Sequence, residues 1–286
     1  MNEGMGQKRI FDYERWGAQL AGLKSRYQGN APFPHLVLED FLDKDSLEGA
    51  LADFEALDNS DAWINYVHFN ENKMGMSKID ALPPGLQGVI RHLNSPDFVR
   101  FLSALSGIES LKADESCEGG GIHQSTRGGF LNIHADFTVH PHHRNWRRRM
   151  NVIVYLGKDW QDEWGGHLEL WNRGMTTCEV RVAPLFNRCV IFNTDANSFH
   201  GHPEPMNCPD GCFRRSIALY YYTEEESPLK RATNYRARPD DGVKKVLIRI
   251  DSLMVSIYTV IKSFLGSNDN FASQFLKAIQ KIVRKI

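Results

Sequence analysis

The sequence predicts an α+β chain with a mainly β core, a double-sheet jelly roll, supported by N-terminal helices and extended by C-terminal ones. Three observations carry this. Between about 121 and 226 the chain breaks into short β-rich runs separated by Gly, Pro, Asn and Asp, the texture of a sandwich or barrel. Before residue 107 and beyond Glu226, apolar residues recur at helical spacing instead. With 286 residues, 42% hydrophobic and 24% charged, the chain can bury one full core. It divides into a support region (1–120), the β core (121–226) and a helical extension (227–286).

Residues 8 to 28 read as an amphipathic helix carrying Ile10, Tyr13, Leu20 and Leu23. Pro32 and Pro34 end it, because a proline disfavours helix in the residue before it. His35 to Leu42 reads as a short strand running into a helix, with Asp43 as N-cap and Leu47, Leu51 and Phe54 along one face. A further helix is expected over 85–106, closed by Gly107. The strands expected in the core are 150–156, 167–171, 178–182, 188–192 and 215–222, with a turn at Gly157 to Trp160. Val243 to Leu265 and Phe271 to Ile286 read as amphipathic helices interrupted at Gly266. The first carries Val243, Leu247, Ile250, Met254, Ile257, Ile261 and Phe264 near one face. Packing on the domain or homodimerisation is the expected use of these stripes, ahead of contact with a membrane surface.

Lys and Arg total 34 against 35 Asp and Glu, a balance that argues against a dedicated nucleic-acid binder. No run reaches the roughly 18 apolar residues of a membrane span. The N-terminus lacks the apolar core of a secretion signal. The five cysteines form no disulfide framework, so a cytoplasmic, reducing location is expected.

The chemistry begins at His134 and Asp136. Two apart on a strand end, they project to one side and can share a metal. A third ligand must come from a strand distant in sequence, and His200 is preferred, with His202 as its rival or as a pocket residue. Two histidines and one carboxylate hold one face of iron(II) and leave the other open. A 2-oxo acid can chelate two of the open positions and dioxygen can take the last. His-x-Asp alone is a weak motif, and a simple pairing of His134 with Asp136 on a surface loop is the competing reading. Arg214 and Ser216, on one face of the apolar strand that opens at Phe213, supply the next observation. A guanidinium at the mouth of an apolar barrel is costly unless paired, so an incoming carboxylate is a natural partner. Tyr155 can donate a second hydrogen bond to it; the plainer reading makes Tyr155 a core residue with a wet hydroxyl.

Five blocks, His134 to Asp136, Arg149 to Trp160, Trp164 to Leu170, Phe192 with His200 and Gly201, and Arg214 to Tyr221, together resemble the prolyl 4-hydroxylase-like branch of the iron(II)- and 2-oxoglutarate-dependent dioxygenases. The resemblance spans roughly 128–223. It implies a double-stranded β-helix, iron(II) on His134, Asp136 and His200, and the distal carboxylate of 2-oxoglutarate on Arg214 with Tyr155 assisting. It further implies decarboxylation of 2-oxoglutarate to succinate coupled to hydroxylation of a C–H bond, with ascorbate as a possible reductant of oxidised iron. The chain departs from the pattern at His202, where many members have valine. Arg214 stands where some animal prolyl hydroxylases use lysine, and the loop Pro205 to Cys212 is longer than in compact members. The substrate, a prolyl or other side chain in a peptide or protein or a small metabolite, is not inherited. A non-catalytic jelly-roll binding module and a cupin-like metal enzyme that uses no oxo acid stay open as rivals.

Two further features stand out. His140 to Arg149 is dense in cations and histidines, and is expected as a solvated loop over the barrel mouth or part of a substrate lid. Cys208 and Cys212 have zinc-like spacing but no convincing second ligand pair, and are read as free loop thiols.

Overall fold

The first helix starts at an aspartate cap and not at residue 8. In the computed structural model, which describes residues 10–251 and 253, α1 runs Tyr13–Gly29 and the Asp12 carboxylate accepts the Arg15 backbone N–H at 2.9 Å. That bond satisfies one of the orphan donors of a first helical turn. Strand β1 (His35–Leu38) leads to α2 (Lys44–Glu55), where Asp43 caps by accepting from Ser46 N at 2.8 Å. The single helix expected over 85–106 is two, α3 (Pro84–Leu93) and α4 (Pro96–Ser106). Pro96 has no N–H to continue the ladder and pushes Ser95 out of helical geometry, so Ser95 caps α4 by accepting Phe98 N at 3.3 Å. Gly107 closes α4 in the left-handed region at φ 76°.

Among the described residues thirteen strands form one sheet, nearly closed into a jelly-roll barrel. Its strands include β4 (Lys112–Ala113), β5 (Gly121–Ser125), β6 (Phe130–Ala135), β7 (Trp146–Tyr155), β8 (Leu168–Trp171) and β9 (Cys178–Val182). They continue with β10 (Cys189–Asn193), β11 (His200–His202), β12 (Arg214–Glu224) and β13 (Asn234–Tyr235). Two strands lie where the sequence reading placed only support. The hairpin of β2 (Ile64–His68) and β3 (Glu71–Met76) enters the barrel, β3 pairing with both β5 and β6. Its Tyr66, Glu71 and Lys73 line a polar cavity rather than a core.

Alternation along the central strands sorts the two faces. Val152 and Val154, Cys189 and Ile191, and Ile217, Leu219 and Tyr221 face the helices and share the main core with Leu47, Phe54, Leu86 and Phe98. Tyr155, Val190 and Phe192 face inward with Leu168, Leu170 and Val182. Arg215 belongs to the helix side, where Glu55 (3.2 Å) and Asp58 (2.7 Å) tie β12 to the end of α2.

After β12 the chain returns along the barrel. Thr138 N donates to Arg231 O at 3.1 Å, β13 pairs with β6, and Arg236 N donates to Ile133 O at 2.8 Å. A helix follows over 244–251. Its buried residue is Ile248, while Val243, Val246 and Ile250 are exposed, so the face expected to pack on Val243 and Ile250 is turned outward here. The rest of that helix and the one expected over 271–286 lie outside the described residues. No helix among the described residues is long and apolar enough to cross a membrane.

Strand β11 is held between β6 and β8. A Cβ at Gly201 would lie 2.7 Å from Leu131 O and 2.9 Å from Asn132 O, both rigid backbone atoms. Gly201→Ala is expected to cost about 1–3 kcal/mol, as overpacking does elsewhere, measured as a shift in the urea midpoint at unchanged slope.

Candidate metal centre and its cavity

β11 pairs with β6 so that His200 stands opposite His134. Cross-strand partners have Cβ atoms about 4.5–5.5 Å apart, and the two ring centroids lie 4.5 Å apart. Asp136, just past the end of β6, turns its carboxylate between them. Its Oδ1 is 3.5 Å from His134 Nε2 and its Oδ2 is 3.4 Å from His200 Nε2. One donor atom from each residue lies within 4.8 Å of the others, the only such group among the described residues.

The tautomers follow from the backbone. His134 Nδ1 is 2.9 Å from Asn132 O, and His200 Nδ1 is 2.9 Å from Ser198 O. A carbonyl only accepts, so each Nδ1 carries the proton and each Nε2 presents a bare lone pair. This is the arrangement that orients a metal-binding imidazole. Burial lowers the His200 pKa to about 4, with Asp136 opposing, so the ring is neutral at neutral pH. The donor set fits iron(II) with open positions.

Behind the carboxylate stand two residues that the sequence reading did not single out. Arg148 Nη2 and Asn151 Nδ2 each lie 2.9 Å from Asp136 Oδ2. Arg148 also donates to Asn151 Oδ1 at 3.0 and 2.8 Å and stacks on the Tyr220 ring, its guanidinium carbon 3.4 Å from the centroid. Burial alone would raise the Asp136 carboxyl, but Arg148 and the two histidines hold it well below the usual range. Plain alternation puts Arg147 and Arg149, not Arg148, in phase with Asn151 and Ile153. A bulge reverses this: Tyr221 pairs with Met150 and Tyr222 with Arg148, leaving Arg149 as the extra residue. Arg147 and Arg149 turn out to Glu225 instead.

The centre opens into a cavity of about 280 Å³ whose wall includes His202, Arg214, Ser216, Lys73, Glu71 and Tyr235. Arg214 donates from Nε to Gly166 O at 2.7 Å and from Nη2 to the Tyr155 hydroxyl at 3.2 Å. Two of its five N–H donors are thereby used and the others remain for a ligand. Tyr155 is fully buried and reaches the site through Arg214, while Ser216 lines the cavity directly. His202 also lines it, but stands apart from the trio. Tyr235 packs on the His134 ring at 5.5 Å.

Residues 141–144 of the segment from His140 to Arg149 are exposed, as expected of a solvated loop, but its ends are anchored. His140 is buried against Asp114 at 3.3 Å and packs on His143 and Trp146. Phe137 and Arg148 are what the 137–149 stretch contributes to the cavity wall. Cys208 and Cys212 are free thiols, and Cys208 Sγ lies 3.5 Å from Cys212 O.

Residues 120–222 match the 2OG-Fe(II) oxygenase superfamily. The chain carries a 2OG-Fe(II) oxygenase domain. The match supports a 2-oxoglutarate-dependent dioxygenase, and the matched superfamily uses iron(II), 2-oxoglutarate and dioxygen. No curated protein sequence matches it. Among solved structures, a prolyl hydroxylase from Trichoplax adhaerens, in complex with a hypoxia inducible factor oxygen degradation domain peptide, aligns with a TM-score of 0.55. Identity there is 18%, over 74% of this chain and 94% of that one. A prolyl-4-hydroxylase from Pseudomonas putida gives 0.52 at 16% identity, over 71% and 99%. The non-heme alpha ketoglutarate dependent epimerase SnoN from nogalamycin biosynthesis gives 0.50 at 15%, over 80% and 88%. At these identities the likeness is one of fold, the double-stranded β-helix.

Titration of the buried histidines sets a pH optimum for stability. Burial lowers His123 to about 3 and His200 to about 4. Between an ordinary value of about 6.5 and those values the unfolded chain binds protons that the folded one refuses, so stability falls as pH drops. His68 works in the opposite sense. Burial would lower it, but hydrogen bonds to Asp251 and Glu71 push it up to about 9. Its contribution is fully present below about pH 6.5 and is lost as pH rises toward 9. Urea midpoints of the metal-free oxygenase are expected to peak near pH 6.5, and His68→Gln should make the decline from about 6.5 to 8 shallower while sparing the acid limb.

Proposed function

We propose that this oxygenase hydroxylates a small molecule, with His134, Asp136 and His200 holding iron(II) and with Arg214 and Ser216 holding the distal carboxylate of 2-oxoglutarate. The observation that carries the reading is the convergence of two Nε2 lone pairs and one ionised carboxylate on a single point, with both Nδ1 protons tied to backbone carbonyls. A binding module needs no such vacant metal face, and a metal enzyme without an oxo acid gives the Arg214 donors no use.

When bound, the iron supplies the activation of dioxygen that couples oxidation of 2-oxoglutarate to hydroxylation of a C–H bond. The chain's own residues supply position and protonation. Arg148 keeps Asp136 anionic, Asn132 O and Ser198 O fix the histidine tautomers, and Gly166 O and Tyr155 aim Arg214. The segment from Leu229 to Arg236 runs beside β6 and brings Thr233 and Tyr235 to the wall, narrowing access for water.

A cavity of about 280 Å³ sits at the small end of ligand sites, which run from about 300 to 1,000 Å³, and favours a metabolite over a bulky partner. The fold shared with prolyl hydroxylases, one of them in complex with a peptide, supports a prolyl side chain as the second reading.

Anaerobic titration with iron(II) and 2-oxoglutarate should give the weak visible charge-transfer band of the chelate, lost in His134→Ala and in Asp136→Ala. In Arg214→Ala the 2-oxoglutarate half-saturation should rise on the order of 30-fold or more, since truncating one partner of a buried charged pair costs about 2–5 kcal/mol. A wild-type protein that binds iron yet forms no band would remove 2-oxoglutarate from the assignment.

A further inference from the structure

Beyond the metal ligands and Arg214, the cavity wall holds two cations that the proposed chelate does not use. Lys73, on β3, has Glu71 as its ion-pair partner at 3.1 Å, which takes one of three ammonium donors. Arg148 is buried, and although its Nε and Nη2 are bonded, its Nη1 has no hydrogen-bond partner. Both side chains line the cavity, as does Tyr220, on whose ring Arg148 stacks. A buried N–H without a partner is costly unless a ligand or water meets it.

Charge points the same way. Among the lining residues Lys73, Arg148 and Arg214 are cationic, while Asp136 and Glu71 are anionic. Iron(II) and a 2-oxoglutarate dianion neutralise one another, so the loaded cavity keeps one positive charge in excess. A buried cation in excess is expensive, and a third anionic group relieves it.

Lys73 is not a stray side chain. Glu71 Oε1 is 2.7 Å from His68 Nε2, and His68 Nδ1 is 3.0 Å from Asp251 Oδ2 on the C-terminal helix. Asp251 also accepts from Asn70 Nδ2 at 2.5 Å, and Asn70 Oδ1 accepts from Asn132 Nδ2 at 2.9 Å. Asn132 in turn supplies the carbonyl that fixes His134. One buried network therefore holds both the ammonium and a metal-binding imidazole.

We propose that Lys73 Nζ and Arg148 Nη1 form a carboxylate subsite for the primary substrate, so that the compound hydroxylated is a small-molecule monocarboxylic acid. This rests on the iron and 2-oxoglutarate reading above and adds the substrate class to it.

The test uses the full-length iron(II)·2-oxoglutarate protein under anaerobic conditions and reads the perturbation of its charge-transfer band. The probes are the twenty protein amino acids with simple aliphatic and aromatic monocarboxylic acids, the matching carboxamides, and an N-acetylated, C-amidated prolyl tripeptide. Members of the acid set are expected to shift the band of the wild-type protein, with their amides at least about tenfold weaker. Lys73→Met should still form the band at a similar 2-oxoglutarate concentration but lose the acid-over-amide preference, and Lys73→Arg should restore it. The proposal is overturned if no acid shifts the band, if amides or the capped peptide act as well as the acids, or if Lys73→Met keeps the preference. It is equally overturned if Lys73→Met raises the 2-oxoglutarate requirement instead, which would assign the ammonium to the co-substrate. A wild-type band absent altogether would locate the failure in the iron reading.

Discussion

The pairing of β11 with β6 is the constraint on which everything else in this molecule hangs. It sets His200 opposite His134, and a slip of one residue would turn the imidazole of either strand to the other face of the sheet. β11 is three residues long, too short to hold a register by its own hydrogen bonds. What holds it is its surroundings: β6 on one side, β8 on the other, and a glycine that lets the neighbouring carbonyls approach. The helices matter at one remove. They pack on β10, β7 and β12, and so fix the curvature that brings the two ends of the sheet around one cavity.

The interior shows how a protein tolerates many buried charges at once. Asp136 meets Arg148, Glu71 meets Lys73 and His68, and Arg215 meets Glu55 and Asp58 on the helix side. Asp136 and Arg148 are bonded further to Asn151, and His68 to Asp251 and Asn70, the condition under which a buried ion pair is stable, while Arg215 reaches carboxylates nearer the surface. The cost of ordering these groups is met by the layers of apolar packing on either side.

Much of this was legible in the chain. The short strands with turn residues between them announced the barrel, and His134, Asp136, His200, Arg214 and Ser216 all reach one cavity wall. What escaped did so for physical reasons. Arg148 hides in a run of three arginines whose inward member is decided by a bulge, and a bulge depends on the partner strand rather than on local pattern. The β2–β3 hairpin lacks the apolar alternation of a buried strand because its cavity-lining positions, Tyr66, Glu71 and Lys73, are polar, while Ile64 and Val67 are exposed. Helix α3 was merged with α4 because apolar periodicity runs through Pro96, whereas the backbone cannot. His200 and His202 could not be separated by spacing, since two residues apart on a strand share a side; the register shift between them separates them.

The matched domain ends at residue 222, yet Asp251 lies beyond it and bonds to both His68 and Asn70. This gives the molecule an order of assembly in time. A chain emerging from the ribosome presents His134, Asp136 and His200 well before Asp251 exists to anchor the hairpin beside them. During that interval the nascent polypeptide owns every metal-binding side chain but lacks the last brace of the wall that confines them. The brace of this wall is thus made after the core it steadies, and from outside the matched domain.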